Sequence, residues 1–259
     1  MKVTYLFVLI SICFFSCSES KLEKTIVANN FTGEENFNTT PKSKKDILTF
    51  KKVDSSNVNA ITYNVKYKDT VISVKNDPKP VASIFLQPRF LNTQKTAAIV
   101  QVADSSGLVS PFYIISLHNG QPEVTKLDRP SNGAMDSKIT KGLEELTLSI
   151  FLLNNDYVVT IINGRVYQLK RQNDAERIQG RFILYSPDKT TFVFATKTSL
   201  YQTNYKTGES VDLKASSDLL APENMANFNN NFTWYKNAKG TSFLKVSDPD
   251  RVVELSEFK

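Results

Sequence analysis

The chain has 259 residues and carries 32 Lys and Arg against 26 Asp and Glu, which gives a formal net charge of +6. With one histidine, His118, and two cysteines, Cys13 and Cys17, it excludes zinc sites built from several His or Cys side chains. Basic residues are scattered among acidic ones rather than clustered with stacking aromatics, which argues against a nucleic-acid partner.

The first residues have the layout of a signal peptide. Lys2 precedes an apolar run from Tyr5 to Phe15, and charged residues begin just after Cys17. The run has about a dozen residues, whereas a helix needs roughly 20 to cross the hydrocarbon core. A cleaved signal peptide over residues 1–16 is therefore favoured over a permanent transmembrane helix.

A small residue followed directly by cysteine at the end of such a run resembles the lipobox of bacterial lipoproteins. Ser16 and Cys17 occupy the matching positions, and Phe14 stands where many lipoboxes carry Leu. The resemblance implies cleavage before Cys17 and acylation of that cysteine; an ordinary signal peptide with an incidental cysteine is the alternative. Enteric lipoproteins that are retained in the inner membrane carry Asp directly after the acylated cysteine, and this chain has Ser18 there. We therefore expect the protein to be in the outer membrane, with its domain facing either the periplasm or the exterior.

Residues 17–45 show no sustained apolar period and are predicted to form a lipidated N-terminus and flexible tether. A flexible segment of this length has a root-mean-square reach of about 30 Å. The folded domain is expected over residues 46–259, standing clear of the bilayer.

Beyond residue 45, short runs rich in Val, Ile, Tyr, Phe and Thr alternate with turn-forming clusters, which is typical of strands. Asn119-Gly120 is the strongest hairpin signal, because both residues tolerate positive φ. No long helical period appears, so the domain is predicted to be all-β. The predicted strands are two within 62–74 around Lys68-Asp69, then 96–103, 112–117, 123–127, 146–153, 157–162, 165–169, 182–185, 191–195, 200–203, 210–213, 232–235, 242–246 and 251–255.

These strands group into about five antiparallel meander units, which suggests a β-propeller. The unit starting at residue 182 contains Ser186-Pro187-Asp188, Phe194-Ala195 and Thr207-Gly208-Glu209. It is similar to the WD40-like repeat of TolB-type β-propellers, although Lys189 stands where that repeat normally has Gly. The resemblance implies a propeller-like fold, with these residues serving as turn devices.

Few catalytic groupings are compatible with this composition. A Ser-His-Asp site must use His118, which lies beside a predicted hairpin turn, and no Gly-rich phosphate loop indicates a cofactor. A pair of carboxylates remains possible, because glycosidases need only two across a cleft. Glu144 and Glu145 end the long connection 128–145, but adjacent residues on an extended strand point to opposite faces.

Two long connections, 128–145 and 214–231, are candidate binding loops or plain surface insertions. Trp234 and Tyr235 follow the second and are expected either to contact a partner or to pack in the core. We expect a non-enzymatic, lipid-anchored envelope module that binds a protein or glycan partner, permanently if it belongs to a larger assembly. A carboxylate-dependent glycan hydrolase on a propeller is the alternative. The positive charge is interpreted as a solvated surface, with an anionic partner such as a phospholipid headgroup or acidic glycan as the alternative.

Overall fold

The computed structural model describes residues 22–53, 61–75, 82–102, 112–129, 141–173, 177–221, 223–224 and 228–247. The predicted signal peptide, Cys17 and the predicted strand at 251–255 lie outside these residues. The α-helix in the described residues is limited to two single turns, α1 (Ser217–Leu220) and α2 (Phe228–Asn231). The prediction of an all-β fold is confirmed.

The strands account for most of the described chain. In order they are β1 (Glu23–Val27), β2 (Asn29–Asn30), β3 (Glu35–Asn36), β4 (Leu48–Val53), β5 (Thr62–Tyr67), β6 (Thr70–Lys75), β7 (Phe85–Phe90), β8 (Ala97–Val102), β9 (Phe112–His118), β10 (Gln121–Leu127), β11 (Leu143–Thr147), β12 (Ile150–Leu153), β13 (Tyr157–Thr160), β14 (Arg165–Gln168), β15 (Arg181–Tyr185), β16 (Thr191–Ala195), β17 (Ser199–Asn204), β18 (Ser210–Lys214), β19 (Phe232–Lys236) and β20 (Ser242–Val246).

Consecutive strands form antiparallel units in chain order. Unit 1 is β4–β6, unit 2 is β7–β10, unit 3 is β11–β14, unit 4 is β15–β18 and unit 5 is β19–β20. Units 1 and 2 belong to one nine-stranded sheet because β5 also pairs with β7. Units 3, 4 and 5 lie in separate sheets.

The units are held together by side chains that alternate between two faces of each strand. On β12, Phe151 and Leu153 pack into the cluster shared with unit 2, whereas Leu152 packs into the cluster shared with unit 4. On β16, Phe192 and Phe194 face unit 3, and Val193 faces unit 5. Strands buried on both faces need apolar residues at successive positions, which explains the continuous apolar runs.

The clusters therefore form a row of four, each between neighbouring units, from the cluster of units 1 and 2 to that of units 4 and 5. None of these clusters, which are defined over the described residues, joins unit 5 to unit 1. Antiparallel meanders that pack through successive clusters are thus shown, with units 1 and 2 in one continuous sheet, and closure into a propeller stays a prediction.

Turn chemistry positions several strands as the sequence predicts. Asn119 and Gly120 both have positive φ, 49° and 72°, and join β9 to β10 with His118 opposite Gln121. Lys189 has a φ of 59°, a conformation that costs little only for glycine, the residue which the similar repeat carries there.

The predicted tether differs from the structure over most of its length. β1 pairs in parallel with β6 of unit 1, β2 pairs with β10 of unit 2, and β3 pairs with β14 of unit 3. Phe37 follows and is 3% exposed in the cluster between units 2 and 3. Isolated apolar residues in a polar segment gave no periodic signal, yet backbone pairing and one buried ring dock the segment across three units. We call residues 22–40 the strap.

Four further strands differ from prediction. β4 and β7 were not predicted as discrete strands, and β7 contains Pro88 beside a register shift between Leu86 and Arg89. Proline weakens a strand signal in sequence but is compatible with an irregular ladder. The predicted single strand 146–153 is two strands, β11 and β12, because the chain turns at Leu148-Ser149.

Candidate functional site

A cavity of about 260 Å³ lies between unit 4 and the connection that leads into it from unit 3. Its wall on one side is the connection that follows β14, and on the other side the turn between β16 and β17. Both charged and neutral hydrogen-bonding groups face it. The lining residues are Arg171, Gln172, Arg177, Ile178, Gln179, Thr196, Thr198, Ser199, Tyr201 and Asp212.

Two arginines of this wall are buried together with an aspartate. Arg171 is 3% exposed and Arg177 is 8% exposed, and both approach Asp156, which is 1% exposed. The Asp156 Oδ1 atom accepts hydrogen bonds from Arg171 Nη2 at 2.6 Å and Nε at 3.1 Å. Arg177 Nη2 lies 3.9 Å from Asp156 Oδ2. The carboxylate thus fixes the guanidinium of Arg171 at the cavity wall.

A third arginine, the partly buried Arg129, borders this buried charge cluster. The backbone carbonyl of Arg129 accepts a hydrogen bond from Arg171 Nη2 at 3.3 Å. Nη1 of Arg129 donates to the carbonyl of Leu169 at 2.6 Å. Burial raises the pKa of the Asp156 carboxyl, an effect that the charges of the three arginines oppose. Burial of ionised groups is tolerated when they are paired and hydrogen-bonded, which holds for Asp156 Oδ1 with Arg171, whereas among the described residues the atoms Asp156 Oδ2 and Arg177 Nε are buried without a hydrogen bond.

Local turn chemistry holds Asp156 in place. Asn154 and Asn155, with φ values of 53° and 55°, form the turn between β12 and β13 that ends in Asp156. The side-chain amide of Asn155 donates to the carbonyls of Ile178 at 3.2 Å and Gly180 at 2.8 Å. One turn therefore positions both the acidic residue and the connection that carries Arg177.

The residues at the rim of the cavity are exposed to solvent, and those at its floor are buried. Gln172, Gln179, Thr198 and Asp212 are exposed, whereas Ser199 and Tyr201 are buried with the arginines. The Tyr201 hydroxyl donates to the carbonyl of Lys170 at 2.6 Å. Preformed buried donors under an adjustable polar rim form a site able to hydrogen-bond a polar ligand.

A second cavity, of about 270 Å³, includes His118. Its other lining residues are Thr39, Thr40, Pro41, Lys42, Asp46, Thr96, Leu117, Asn119 and Gly120. The Asp46 carboxylate accepts from the Tyr67 hydroxyl at 2.8 Å and from Ser43 Oγ at 3.0 Å. These hydrogen bonds lower its pKa, Tyr67 contributing most. Among the described hydrogen bonds none joins Asp46 to His118, so no Ser-His-Asp relay is assembled here.

Glu144 and Glu145 lie on β11 rather than in a loop, and the structure does not bring them together. Glu144 is opposite Leu152 and Glu145 is opposite Phe151, and those two partners pack into different clusters. Glu145 forms an exposed ion pair with Arg89 at 2.8 Å. The expectation that adjacent glutamates point to opposite faces is confirmed.

Trp234 and Tyr235 point to opposite faces of β19. Trp234 packs against the cluster between units 4 and 5 and is partly buried. Tyr235 is opposite Phe243, with the Lys245 ammonium 5.8 Å from its ring centroid. Neither lines the two cavities described above.

The sequence does not identify Arg171 or Arg177, and it indicates Asp156 only as a loop carboxylate that could belong to an acid pair. These residue types are usually exposed, and no spacing in the chain distinguishes a buried arginine from a solvated one. The positive-φ turn at Asn154-Asn155 was the only available signal, and it indicated a turn without indicating which side chains it buries.

Among the described residues, no group of three or more His, Cys, Asp or Glu side chains is placed to hold a metal ion. None of the described helices is long and apolar enough to cross a bilayer. Comparison of the chain with protein-family models, with curated proteins and with solved structures finds no match in any of the three.

Proposed function

We propose that this protein is a lipid-anchored binding module of the bacterial cell envelope, and that the cavity between unit 4 and the connection leading into it binds one sugar unit of a glycan. The supporting observation is the composition of that cavity. Buried Arg171 and Arg177 lie beside side-chain amides and hydroxyls, so donors and acceptors converge on one small space. Sugar hydroxyls act as donors and acceptors at once and suit such a lining.

The size of the cavity supports a small ligand group. About 260 Å³ is slightly below the roughly 300–1,000 Å³ typical of pockets for drug-sized ligands. A single sugar ring, with the rest of the glycan extending over the exposed rim, matches this space better than an entirely enclosed chain. A polar side chain of a protein partner is the second ligand that the same groups would accept.

The hydrolase alternative has less support. Glycoside hydrolysis requires two carboxylates separated by about 5–10 Å across the cleavage point. Asp212 is the one carboxylate among the described lining residues, and Asp156 is occupied by Arg171. Glu144 and Glu145 lie on opposite faces of β11.

The cavity is tested by titrating the full mature chain with soluble oligosaccharides that contain neutral, amino or acidic sugars. We expect one class to bind, and Gln172→Ala with Asp212→Asn to weaken that binding about tenfold, the loss of one or two hydrogen bonds. Gln168→Ala with Asp218→Asn, exposed positions outside the cavity, is the matched control. Equal weakening by both double variants would place the glycan elsewhere, and hydrolysis of an oligosaccharide would favour the enzymatic alternative.

The membrane anchor is tested separately. In cells grown with radiolabelled fatty acid, the natural chain is expected to be labelled and Cys17→Ala to be unlabelled and released from membranes. Two or more acyl chains anchor stably, at roughly 0.8 kcal/mol per buried methylene, so loss of the lipid removes the anchor. Unchanged labelling of Cys17→Ala would contradict the lipoprotein assignment without affecting the cavity.

A further inference from the structure

The strap begins at one defined end of the stacked units. The Leu22 carbonyl accepts from Val71 N at 3.0 Å, next to the turn between β5 and β6. Lys24 Nζ donates to Gln121 Oε1 at 2.9 Å, next to the turn between β9 and β10. The first described residues of the strap therefore lie at the end that carries these turns.

Backbone contacts connect this end across units 1 to 3. Leu117 N donates to the carbonyl of Thr96 at 2.8 Å. This hydrogen bond joins the turn before β8 to the turn after β9. Phe37 N donates to the carbonyl of Gly164 at 2.6 Å, in the turn between β13 and β14. We call this end, formed by residues 37–47 and the turns at 68–69, 91–96, 119–120, 148–149 and 161–164, the turn end.

Exposed lysines cluster at the turn end. Leu48 N donates to the carbonyl of Lys95 at 2.7 Å, and Asp46 binds Tyr67, so three chain segments meet there. Two carboxylates belong to the cluster, Asp69 and Asp46, and Asp46 is already hydrogen-bonded to two hydroxyls. The lysines, which we call the lysine patch, are Lys42, Lys44, Lys45, Lys68 and Lys95, all exposed.

Apolar side chains project from the same end. Leu148 is 92% exposed and Ile162 is 78% exposed, and their two turns are joined by a hydrogen bond from Ile161 N to the Ser149 carbonyl at 2.9 Å. Leu22, at the start of the strap, is 69% exposed. Exposed aliphatic residues beside lysines are the composition of surfaces that lie at the headgroup boundary of a bilayer.

The chain length between anchor and strap is short. Four residues lie between Cys17 and Leu22, and the five residue-to-residue steps of a fully extended chain span at most about 3.3–3.6 Å each, or roughly 17 Å in all. A lipid on Cys17 would therefore hold Leu22 within roughly 17 Å of the headgroups. The predicted tether would instead have allowed the domain to stand clear.

We propose that the turn end is a membrane-facing surface, on which the lysine patch binds the headgroups of anionic phospholipids. This orientation rests on the proposed lipidation of Cys17, whereas the affinity of the patch for anionic lipid does not. The lipid attaches the protein to the membrane, and the lysine patch sets the orientation in which the cavity beside unit 4 faces away from the bilayer. The β16–β17 turn that lines this cavity lies at the opposite end, beside Asn155 and Gly180.

The experiment uses the mature chain with Cys17→Ser, which carries no lipid, in co-sedimentation with vesicles. We expect binding to vesicles of phosphatidylcholine mixed with phosphatidylglycerol, at least about tenfold weaker binding to phosphatidylcholine alone, and release by high salt. The triple variant Lys42→Gln, Lys44→Gln, Lys45→Gln should lose about tenfold or more in binding, because each lysine near an anionic surface contributes substantially.

The matched control removes three exposed lysines elsewhere, Lys52→Gln, Lys197→Gln and Lys214→Gln, and should bind like the parent. Equal losses in both triple variants, or no preference for anionic vesicles, would overturn the proposal. So would binding to a soluble acidic polysaccharide without binding to vesicles. Fatty-acid labelling of the natural chain reports on Cys17 alone, so failure of the anchor and failure of the patch are distinguishable.

Orientation is measured with a second pair of variants in the same chain. Leu148→Trp at the turn end should shift its fluorescence to shorter wavelength on anionic vesicles, because the indole enters the headgroup region. Lys197→Trp at the opposite end should not shift. A shift at Lys197→Trp but not at Leu148→Trp would reverse the proposed orientation.

Discussion

The side chain of Gln202 pairs with the backbone of Leu244 as a strand would. Its Nε2 donates to the Leu244 carbonyl at 3.0 Å, and its Oε1 accepts from Leu244 N at 2.6 Å. Gln202 is fully buried on β17, and Leu244 lies on β20, so one amide joins two sheets that share no ladder. These two hydrogen bonds join units 4 and 5 in addition to the apolar cluster between them.

Replacing Gln202 by Leu should destabilise the protein by about 2–4 kcal/mol, because a buried N–H and a buried carbonyl lose their partners at about 1–3 kcal/mol each. Chemical denaturation measures the effect. Gln168→Leu, on an exposed position of β14, should stay within about 0.5 kcal/mol. An unchanged free energy of unfolding for Gln202→Leu would show that water or another group hydrogen-bonds the backbone N–H and carbonyl of Leu244.

Phe37→Ala tests whether the strap is docked. Phe37 is 3% exposed against the cluster of units 2 and 3, so we expect a loss of about 3–5 kcal/mol, which is the usual cost of truncating a buried Phe. Thr40→Ala, at an exposed position nearby, should change stability by less than about 0.5 kcal/mol. A free tether would give no difference between the two variants, and amide exchange over residues 22–40 would then be unprotected.

Gly164→Ala should also disturb the strap. Gly164 has a φ of 57°, and a Cβ there would lie 3.0 Å from Asn38 N and 3.2 Å from the Phe37 carbonyl carbon. Strain of this kind costs about 1–3 kcal/mol. Gly33→Ala, with no positive φ and nothing within 4 Å of its Cβ, is the matched control and should be close to neutral. Equal melting temperatures for both variants would contradict the close approach.

Asp156→Ala should destabilise the protein by about 3–5 kcal/mol, because it leaves buried guanidinium charge uncompensated. Replacing Asp156 and Arg171 together by Leu and Met should recover part of this loss, since an apolar pair can replace a buried ion pair. Urea denaturation of the three proteins measures both steps. A double variant no more stable than Asp156→Ala would show that Arg171 is not the main partner.

Asp188 should make the contact between units 4 and 5 sensitive to acid. Burial raises the pKa of its carboxyl, but hydrogen bonds from Ser186, Thr190 and Ser242 outweigh this and lower it below its ordinary 3.8. Its contribution is therefore present above pH 3.8 and lost as pH falls through the folded-state value.

The melting temperature of Asp188→Asn should lie below that of the natural protein at neutral pH, and the difference should shrink as the pH falls below 3.8. Asp69→Asn, at the exposed β5–β6 turn, is the control and should leave the melting temperature at neutral pH nearly unchanged. A constant difference for Asp188→Asn at all pH values would mean that the charge of the carboxylate is not involved.

Local patterns in the sequence were sufficient for the fold class and for many turns. Runs of apolar β-branched residues predict buried strands, and Asn119-Gly120 predicts a turn with positive φ. Both patterns extend over only a few consecutive residues, so they can be recognised without the tertiary structure. The sequence predicts β11 and β12 as one strand because Leu148, which is exposed, continues an apolar run across their turn. The sequence does not distinguish a hydrophobic residue that is buried from one that projects into solvent from a turn.

The strap and the cavity depended on contacts between residues distant in the chain. Phe37 is buried by units 2 and 3, which come from later parts of the sequence, and Arg171 is fixed by Asp156 across a turn. Neither relationship has a local signature, because pairing and burial are set by which surfaces meet after folding. The sequence therefore predicts strands, turns and a lipid anchor, whereas the docking of the strap and the buried arginines arise from packing of the units against one another.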